Sequence, residues 1–413
     1  MKSSPPPRFG SRGRALELIR SRGPISRIEL AQSTGLTQAT ISHVVRNLIR
    51  DGLVSEVGRG GPTGGKPRMM LEINPKARLG IGVQLGLESI VYVVVNLSGS
   101  VVGRLSTQGA GDQQPAEVVA TMAVDLAALL DGLGVDRSLV VGVGLVSPGP
   151  IDRENGVILS APSFVSWAGY SLRAEFEKAT GLQVSLDNDA TAAALGEHWL
   201  GATGDSRAYT SVYMATGIGA GIVIDGTIYR GVSSNVGELG HVTVDVRGAL
   251  CSCGNRGCLE LVASPRAIVA RAAAAVSKGD LDVPLCGTTQ TDLATLGMAA
   301  MRGNVVAYQI LADAAEILAA AIVSMMNLFD LELVVLAGPA FASTASIYLD
   351  RVQNAMDTYA LSRQAHRIKV QLSSNVHDAA ALGAATLVLQ EQLHPGDADR
   401  SAVTNTAGNG VQP

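Results

Sequence analysis

The residues from Gly237 to Glu260 gather more metal-binding and carboxylate chemistry than any other stretch of the chain. They read Gly-Glu-Leu-Gly-His, then, from ten residues after the histidine, Cys251-Ser-Cys253-Gly-Asn-Arg-Gly-Cys258-Leu-Glu260. The chain has four cysteines, and three of them fall within the eight residues 251–258. Three thiolates and the imidazole of His241 make a complete tetrahedral set for Zn²⁺, and a closed shell of this kind is structural rather than catalytic. Gly254 and Gly257 allow the tight turns that bring Cys251, Cys253 and Cys258 to one ion. Clustered thiols without a metal are the plainer alternative. A disulfide is disfavoured, because a Cys-x-Cys pair bridges poorly and leaves an odd thiol.

Two carboxylates, Glu238 and Glu260, bracket this segment. Beside an imidazole in a small cleft they suit sugar hydroxyls, since they accept hydrogen bonds in fixed directions. On this stretch alone, solvated loop charges explain them equally well.

The elements that must position these groups follow from the rest of the chain. A length of 413 residues predicts two or three domains. Apolar residues make up 47% and aromatics 4%, which suits an Ala/Val/Leu/Gly-rich α/β core. No apolar run follows the basic start, so no signal peptide is predicted. The apolar stretch 310–329 is broken by Asp313 and Glu316 and reads as a buried helix rather than a membrane span. Metal-suited, reduced cysteines predict a cytoplasmic protein with no membrane partner.

Charge divides the chain. Residues 1–78 carry 14 Lys/Arg and 5 Asp/Glu, a balance of +9, and the remainder carries −13. A basic head on an acidic body points to a polyanion as the head's partner. Residues 1–11, with three consecutive prolines, are expected to be disordered. From Arg12 a helix runs to Gly23-Pro24. Ser26 and Glu29 form a capping box for a second helix, which stops near Gly35. Thr37 caps a third, with Ile41, Val44, Val45, Leu48 and Ile49 as its apolar stripe. This is the helix-turn-helix pattern. The polar face of the third helix carries Gln38, Thr40, Ser42, His43, Arg46 and Asn47, which suit base edges and phosphates in a major groove. Two short strands, 53–57 and 69–73, flank a Gly-rich basic loop. They make a wing, from which Arg59, Lys66 and Arg68 reach phosphates or a minor groove.

The body reads as two sets of strands and helices, hence two α/β lobes around a cleft. The first set has strands at 80–85, 90–96, 101–107, 139–146 and 184–187, with helices at 115–133 and 190–199. The second has strands at 209–215, 219–224, 227–229, 333–337 and 368–372. Its helices lie at 264–277, 291–303, 304–328, 343–359 and 378–393. The expected domains are a winged head at 12–75 and a body at 76–393. Lobe I is about 79–188 plus 376–393, lobe II is 189–375, and 394–413 is a disordered tail. Glycine turns at Gly86, at Gly217–Gly221 and at Gly338 fall where the cleft should be.

With the Gly237–His241 and Cys251–Glu260 signature, the run Asp187-Asn-Asp-Ala-Thr-Ala-Ala-Ala-Leu-Gly-Glu197 and the fused head, the chain resembles the ROK family of repressors and sugar kinases over about 12–393. More narrowly, it resembles the family's transcription-factor branch. The resemblance implies a two-lobed, actin-like (ribonuclease H-like) sugar kinase fold behind the winged helix-turn-helix. It implies sugar contacts from Asn188, Asp189, Glu238, His241 and Glu260. Asp189 matches the kinases' general base, and the implied zinc ligands are His241, Cys251, Cys253 and Cys258.

The departures favour a sensor over an enzyme. The family's phosphate-holding Asp-x-Gly-x-Thr turn is Gln84-Leu-Gly86-Leu87-Glu88 here, with bulk and a negative charge where ATP phosphates would sit. The adenosine-side Gly-Gly turn is Gly338-Pro339. Ser163 replaces an asparagine ahead of the family's cleft tryptophan, here Trp167. The expectation is a non-enzymatic, sugar-responsive repressor of carbohydrate uptake or catabolism genes. It would be a homodimer or homotetramer that binds a double-stranded operator and a sugar or sugar-phosphate effector. An ATP-dependent sugar kinase with a regulatory head is the alternative.

Overall fold

The computed structural model describes residues 10–59, 68–159, 164–204 and 206–393. The termini expected to be disordered, apart from residues 10 and 11, lie outside this range, as do Lys66 and Ser163.

The head comprises α1 (Ser11–Arg22), β1 (Ile25–Ser26), α2 (Arg27–Thr34), α3 (Gln38–Arg50), β2 (Val54–Arg59) and β3 (Met69–Ile73). Both halves of the Ser26/Glu29 capping box form, and Gly35 ends α2 with φ +70. Thr37 Oγ1 accepts from the Thr40 amide at the start of α3. Ile41, Val44, Val45 and Leu48 face inward against Leu16, Ile19 and Leu30. A two-residue strand, β1, joins the wing strands in a sheet of order β1-β3-β2. It is too short to leave a period in the sequence.

Lobe I follows with β4 (Leu79–Leu85), β5 (Ser89–Asn96), β6 (Val101–Gln108), α4 (Pro115–Gly132) and β7 (Val140–Ser147). A small hairpin, β8 (Ile151–Asp152) and β9 (Val157–Ile158), precedes α5 (Leu172–Thr180), β10 (Val184–Asn188) and α6 (Asp189–Trp199). Lobe II begins with β11 (Ala208–Met214), β12 (Ile218–Ile224) and β13 (Thr227–Ile228). It continues through α7 (Glu260–Ala263), α8 (Pro265–Lys278), α9 (Thr289–Met301) and α10 (Val305–Phe329). β14 (Leu333–Ala337), α11 (Ala345–Tyr359), β15 (Lys369–Leu372) and α12 (Ala379–Leu393) complete the body.

The two large sheets share one plan. Their orders are β10-β7-β4-β5-β6 and β13-β12-β11-β14-β15, an antiparallel three-strand meander continued by two parallel strands. This duplicated arrangement is the actin-like fold. α5 and the β8–β9 hairpin have no counterpart in the sequence reading. Both are short and lie in a turn-rich stretch.

Helices α6 and α12 pack against each other at the junction of the lobes. A Cβ at Gly383 would lie 1.7 Å from the Ala192 carbonyl, so only glycine permits this approach. α10 is long and apolar enough to cross a membrane. Its Leu311, Leu318, Ile322 and Met326 are fully buried in the lobe II core, as the interrupted apolar pattern predicted.

Candidate functional site

Strand β10 delivers Asp187 and Asn188 at its carboxyl end, and the chain turns there into α6. Asn188 is the N-cap of α6, and its Oδ1 accepts from the Thr191 amide at 3.1 Å. That bond fixes the side chain and leaves Nδ2 for the cleft. Asp189 follows as the first helical residue. Its Oδ1 takes the Ala190 amide at 2.8 Å, and burial raises its carboxyl to about 6.

Opposite stands the loop after β13. Glu238 faces Asn188 across Gly149, where an added Cβ would lie 3.0 Å from both Asn188 Nδ2 and Glu238 Oε1. Asn235 pins this loop to lobe I, accepting from the Ile151 amide at 2.8 Å and donating to its carbonyl at 3.0 Å. Burial raises Glu238 to about 7, and the charges of Asp189 and Glu260 add to the rise. Glu260, the first residue of α7, accepts from the Ile218 amide at 3.0 Å. Burial raises it also to about 7, against the opposing pull of that bond and of Arg266. Gly217 and Gly240 leave room for its carboxylate, since Cβ atoms there would come within 2.8 and 2.5 Å of it.

Asn188, Asp189, Glu238, His241 and Glu260 thus line one cavity of about 610 Å³ between the lobes. Its size suits a small-molecule ligand. The convergent carboxylates supply directional acceptors, and Asn188 supplies a donor, so the site fits a polyhydroxylated ligand.

The cysteine cluster adjoins this cavity, which its members His241 and Cys251 line. The ligand atoms of His241, Cys251, Cys253 and Cys258 all lie within 4.8 Å of one another. Cys251 Sγ is 3.8 Å from His241 Nδ1, and Cys253 Sγ is 3.7 Å from Cys258 Sγ. With metal–sulfur bonds of about 2.3 Å, tetrahedral ligands stand roughly 3.8 Å apart. The donor set and spacing therefore fit a tetrahedral metal. All four cysteines are unpaired as disulfides. His241, whose Nδ1 is on the cysteine side, also lines the cavity.

Several contacts here have no local signature in the sequence. Arg230 holds the buried Asp187 in a two-pronged ion pair at 3.0 and 2.7 Å, joining the loop after β13 to the end of β10. Gln84 Nε2 donates to the Tyr213 hydroxyl across the cleft floor. Trp167 is buried in the lobe I core, edge-on to Phe164 and Tyr170, and is absent from the cavity wall.

Glu88 is exposed and lines the hollow beside the Gly86 turn. Its two carboxylate oxygens accept the Thr289 and Gln290 amides at 2.9 and 3.1 Å, at the N-terminus of α9. Thr288, the N-cap of α9, makes no side-chain cap bond, so Glu88 supplies the cap from the other lobe. The hollow beside it is about 130 Å³ and is lined by Gly86, Leu87, Glu88, Thr289 and Pro339.

On the head, Gln38, His43 and Arg46 are exposed along one face of α3, with Thr40, Ser42 and Asn47 half-buried. Asn47 Nδ2 lies 3.2 Å from His43 Nε2. Arg68 is exposed at the foot of the wing, and the backbone of Arg59 ends β2.

A winged head joined to a duplicated sugar-kinase fold, with a Cys₃His cluster beside the cleft, defines a class that holds both regulators and kinases. The ROK family model matches residues 80–391, and a winged helix-turn-helix DNA-binding model matches 11–55. The chain belongs to the ROK family. It is 28% identical over 390 residues to a xylose repressor of Caldicellulosiruptor bescii, covering 92% of this chain and 95% of that one. Among solved structures, a ROK family transcriptional regulator described as a homologue of the Escherichia coli MLC protein aligns with TM-score 0.75 and 27% identity, over 93% of this chain and 97% of its own. A ROK family glucokinase from Streptomyces griseus, solved with glucose and AMPPNP, aligns with TM-score 0.65 and 26% identity, over 75% and 98%.

Proposed function

We propose that this chain is a sugar-responsive, DNA-binding transcriptional repressor of carbohydrate uptake or catabolism genes. The observation that carries the proposal is the pairing of a polar, carboxylate-lined cavity with a head bearing an exposed polar recognition face. The head is residues 12–75 and the sensing body 76–393, with lobe I about 79–188 plus 376–393 and lobe II 189–375. Asn188, Asp189, Glu238, His241 and Glu260 bind the hydroxyls of a sugar or sugar phosphate. Gln38, Thr40, Ser42, His43, Arg46 and Asn47 read the operator's major groove, and Arg59, Lys66 and Arg68 hold its backbone. Two heads of a cytoplasmic homodimer or homotetramer engage half-sites about 34 Å apart or a multiple of it, so a modest change in head spacing weakens binding.

His241, Cys251, Cys253 and Cys258 would hold a structural Zn²⁺. Bound there, the ion would supply no chemistry beyond fixing the loop that carries His241 and Glu260. The chain's own groups do the recognition: Asp189 and Glu238 accept from hydroxyls, and Asn188 donates.

A sugar kinase reading draws on Asp189, whose raised carboxyl suits a general base. The phosphate side opposes it. Gln84 is engaged with Tyr213, Leu87 and Glu88 fill the turn, and a hollow of about 130 Å³ is small for a nucleotide. A thermal-shift screen against sugars, sugar phosphates and Mg·ATP separates the two readings, because ligands of the folded state raise its melting point. A shift with one sugar and none with Mg·ATP supports the sensor. A clear Mg·ATP shift, with turnover in a coupled assay, replaces it with the kinase.

A further inference from the structure

Helix α6 has one end in the cavity and the other against the DNA-binding head. Its 11 residues span about 16 Å. Asn188 and Asp189 at its N-terminus line the cavity. At its C-terminus the Trp199 carbonyl, one of the orphan acceptors of a helix end, takes a hydrogen bond of 2.6 Å from Arg20 Nη1. Arg20 belongs to the last turn of α1 in the head. Its guanidinium also lies 3.9 Å from the centroid of the Trp199 ring. A cation is favoured at the negative end of a helix dipole and over an aromatic face, and here one guanidinium does both. Glu17 holds the same group through Nε and Nη2 at 3.0 and 2.6 Å, which fixes its plane.

Between its ends α6 is gripped by close backbone packing. Gly383 of α12 meets the Ala192 carbonyl, and Gly221 of β12 meets Ala190 and Ala194, where an added Cβ would lie within 2.5 Å of each. Contacts this tight leave little room to bend, so a displacement at one end of α6 reaches the other. The Arg20 side chain is only 7% exposed, which removes it from direct contact with DNA. α1 in turn packs on α3, the helix with the exposed polar face.

We propose that α6 carries the effector signal from the cavity to the head, and that Arg20 is the positioning residue that couples the head to it. Arg20 clamps the end of α6, and ligand at Asp189 shifts that end, turning α1 and the α3 packed on it. This rests on the sugar-sensing reading, and the test distinguishes the failure of each.

Operator affinity is measured by fluorescence anisotropy on a duplex selected from a random pool, with and without a sugar that titrates calorimetrically. The wild type should show a coupling ratio within about 5–150-fold. Arg20→Ala should bind the sugar within about twofold of wild type and retain operator binding, while its ratio falls toward about 1. Arg20→Lys should recover only part of the ratio, since an ammonium reaches the carbonyl but cannot keep the stacked, Glu17-held fork. A packing role alone would move the melting point and leave the ratio intact. An unchanged ratio in Arg20→Ala overturns the inference while the sensor reading stands. A wild type that binds no sugar in calorimetry overturns the sensor reading, and the inference falls with it.

Discussion

The Gln84 side-chain amide donates to the Tyr213 hydroxyl at 2.5 Å across the floor of the cleft. The two residues hold equivalent places, each penultimate in the first strand of its sheet, β4 and β11. The duplicated fold therefore brings its two matching strand ends together, and the pair ties lobe to lobe beneath the cavity. Both residues are buried, and Gln84 Oε1 has no partner among the described residues. Removing either partner strands the other's polar group, at about 1–3 kcal/mol. Gln84→Ala and Tyr213→Phe should each lower stability in urea unfolding. The double variant should lose less than the sum, because the two share one bond. Additive losses would show that the bond contributes nothing.

Glu88 joins the lobes at a second point. Glu88→Ala removes the only side-chain cap described for α9, a change of about 1 kcal/mol. Hydrogen exchange should accelerate at the Thr289 and Gln290 amides and leave the C-terminal half of α9 protected. Equal exchange in wild type and variant would place the carboxylate elsewhere in solution.

Asp189 gives the apo protein a pH dependence of defined sign. Burial holds its carboxyl at about 6, against about 3.9 when unfolded. The folded state therefore keeps the extra proton between these values. Stability from this group is complete below about pH 4 and is lost as pH rises through about 6. Because the carboxylate borders an open cleft, the loss should be on the order of 1–2 kcal/mol. Asp189→Asn stays neutral and should show a shallower slope than wild type in urea unfolding between about pH 4.5 and 7.5, the remainder coming from Glu238 and Glu260. Parallel curves would place Asp189 in a more solvated setting.

Metal removal should act on the cavity through the loop. Purified protein should carry about one equivalent of zinc by elemental analysis. Chelation, or Cys258→Ser, should lower the melting point and weaken sugar binding at least tenfold, because His241 and Glu260 lose their common anchor. Operator binding by the head should survive. Sugar affinity that is unchanged after the metal is gone would separate the cluster from the site.

The sequence made the cysteine cluster legible because its ligands are rare residue types at short spacing, and the fold brings them together. The head was legible for a similar reason: capping residues and apolar stripes are local signals. Contacts between distant residues left no such mark. Arg230 and Asp187 are 43 positions apart and Gln84 and Tyr213 are 129 apart, and neither pair has a period or a neighbour that announces it. The capping role of Glu88 left no mark either, because its partners, the Thr289 and Gln290 amides 201 and 202 positions away, are backbone groups invisible to side-chain chemistry.

The central claim is that sugar in the cleft governs the head's grip on DNA. Operator affinity by anisotropy, across a panel of pentoses, hexoses, N-acetylhexosamines and their phosphates, tests it most directly. Wild type should change its operator affinity about 5–150-fold with one of these ligands. Asp189→Ala should bind the operator normally and ignore that ligand. Arg46→Ala should bind the ligand normally and lose roughly tenfold or more in operator affinity. An operator affinity indifferent to every sugar, or an Asp189→Ala variant that responds like wild type, would contradict the account.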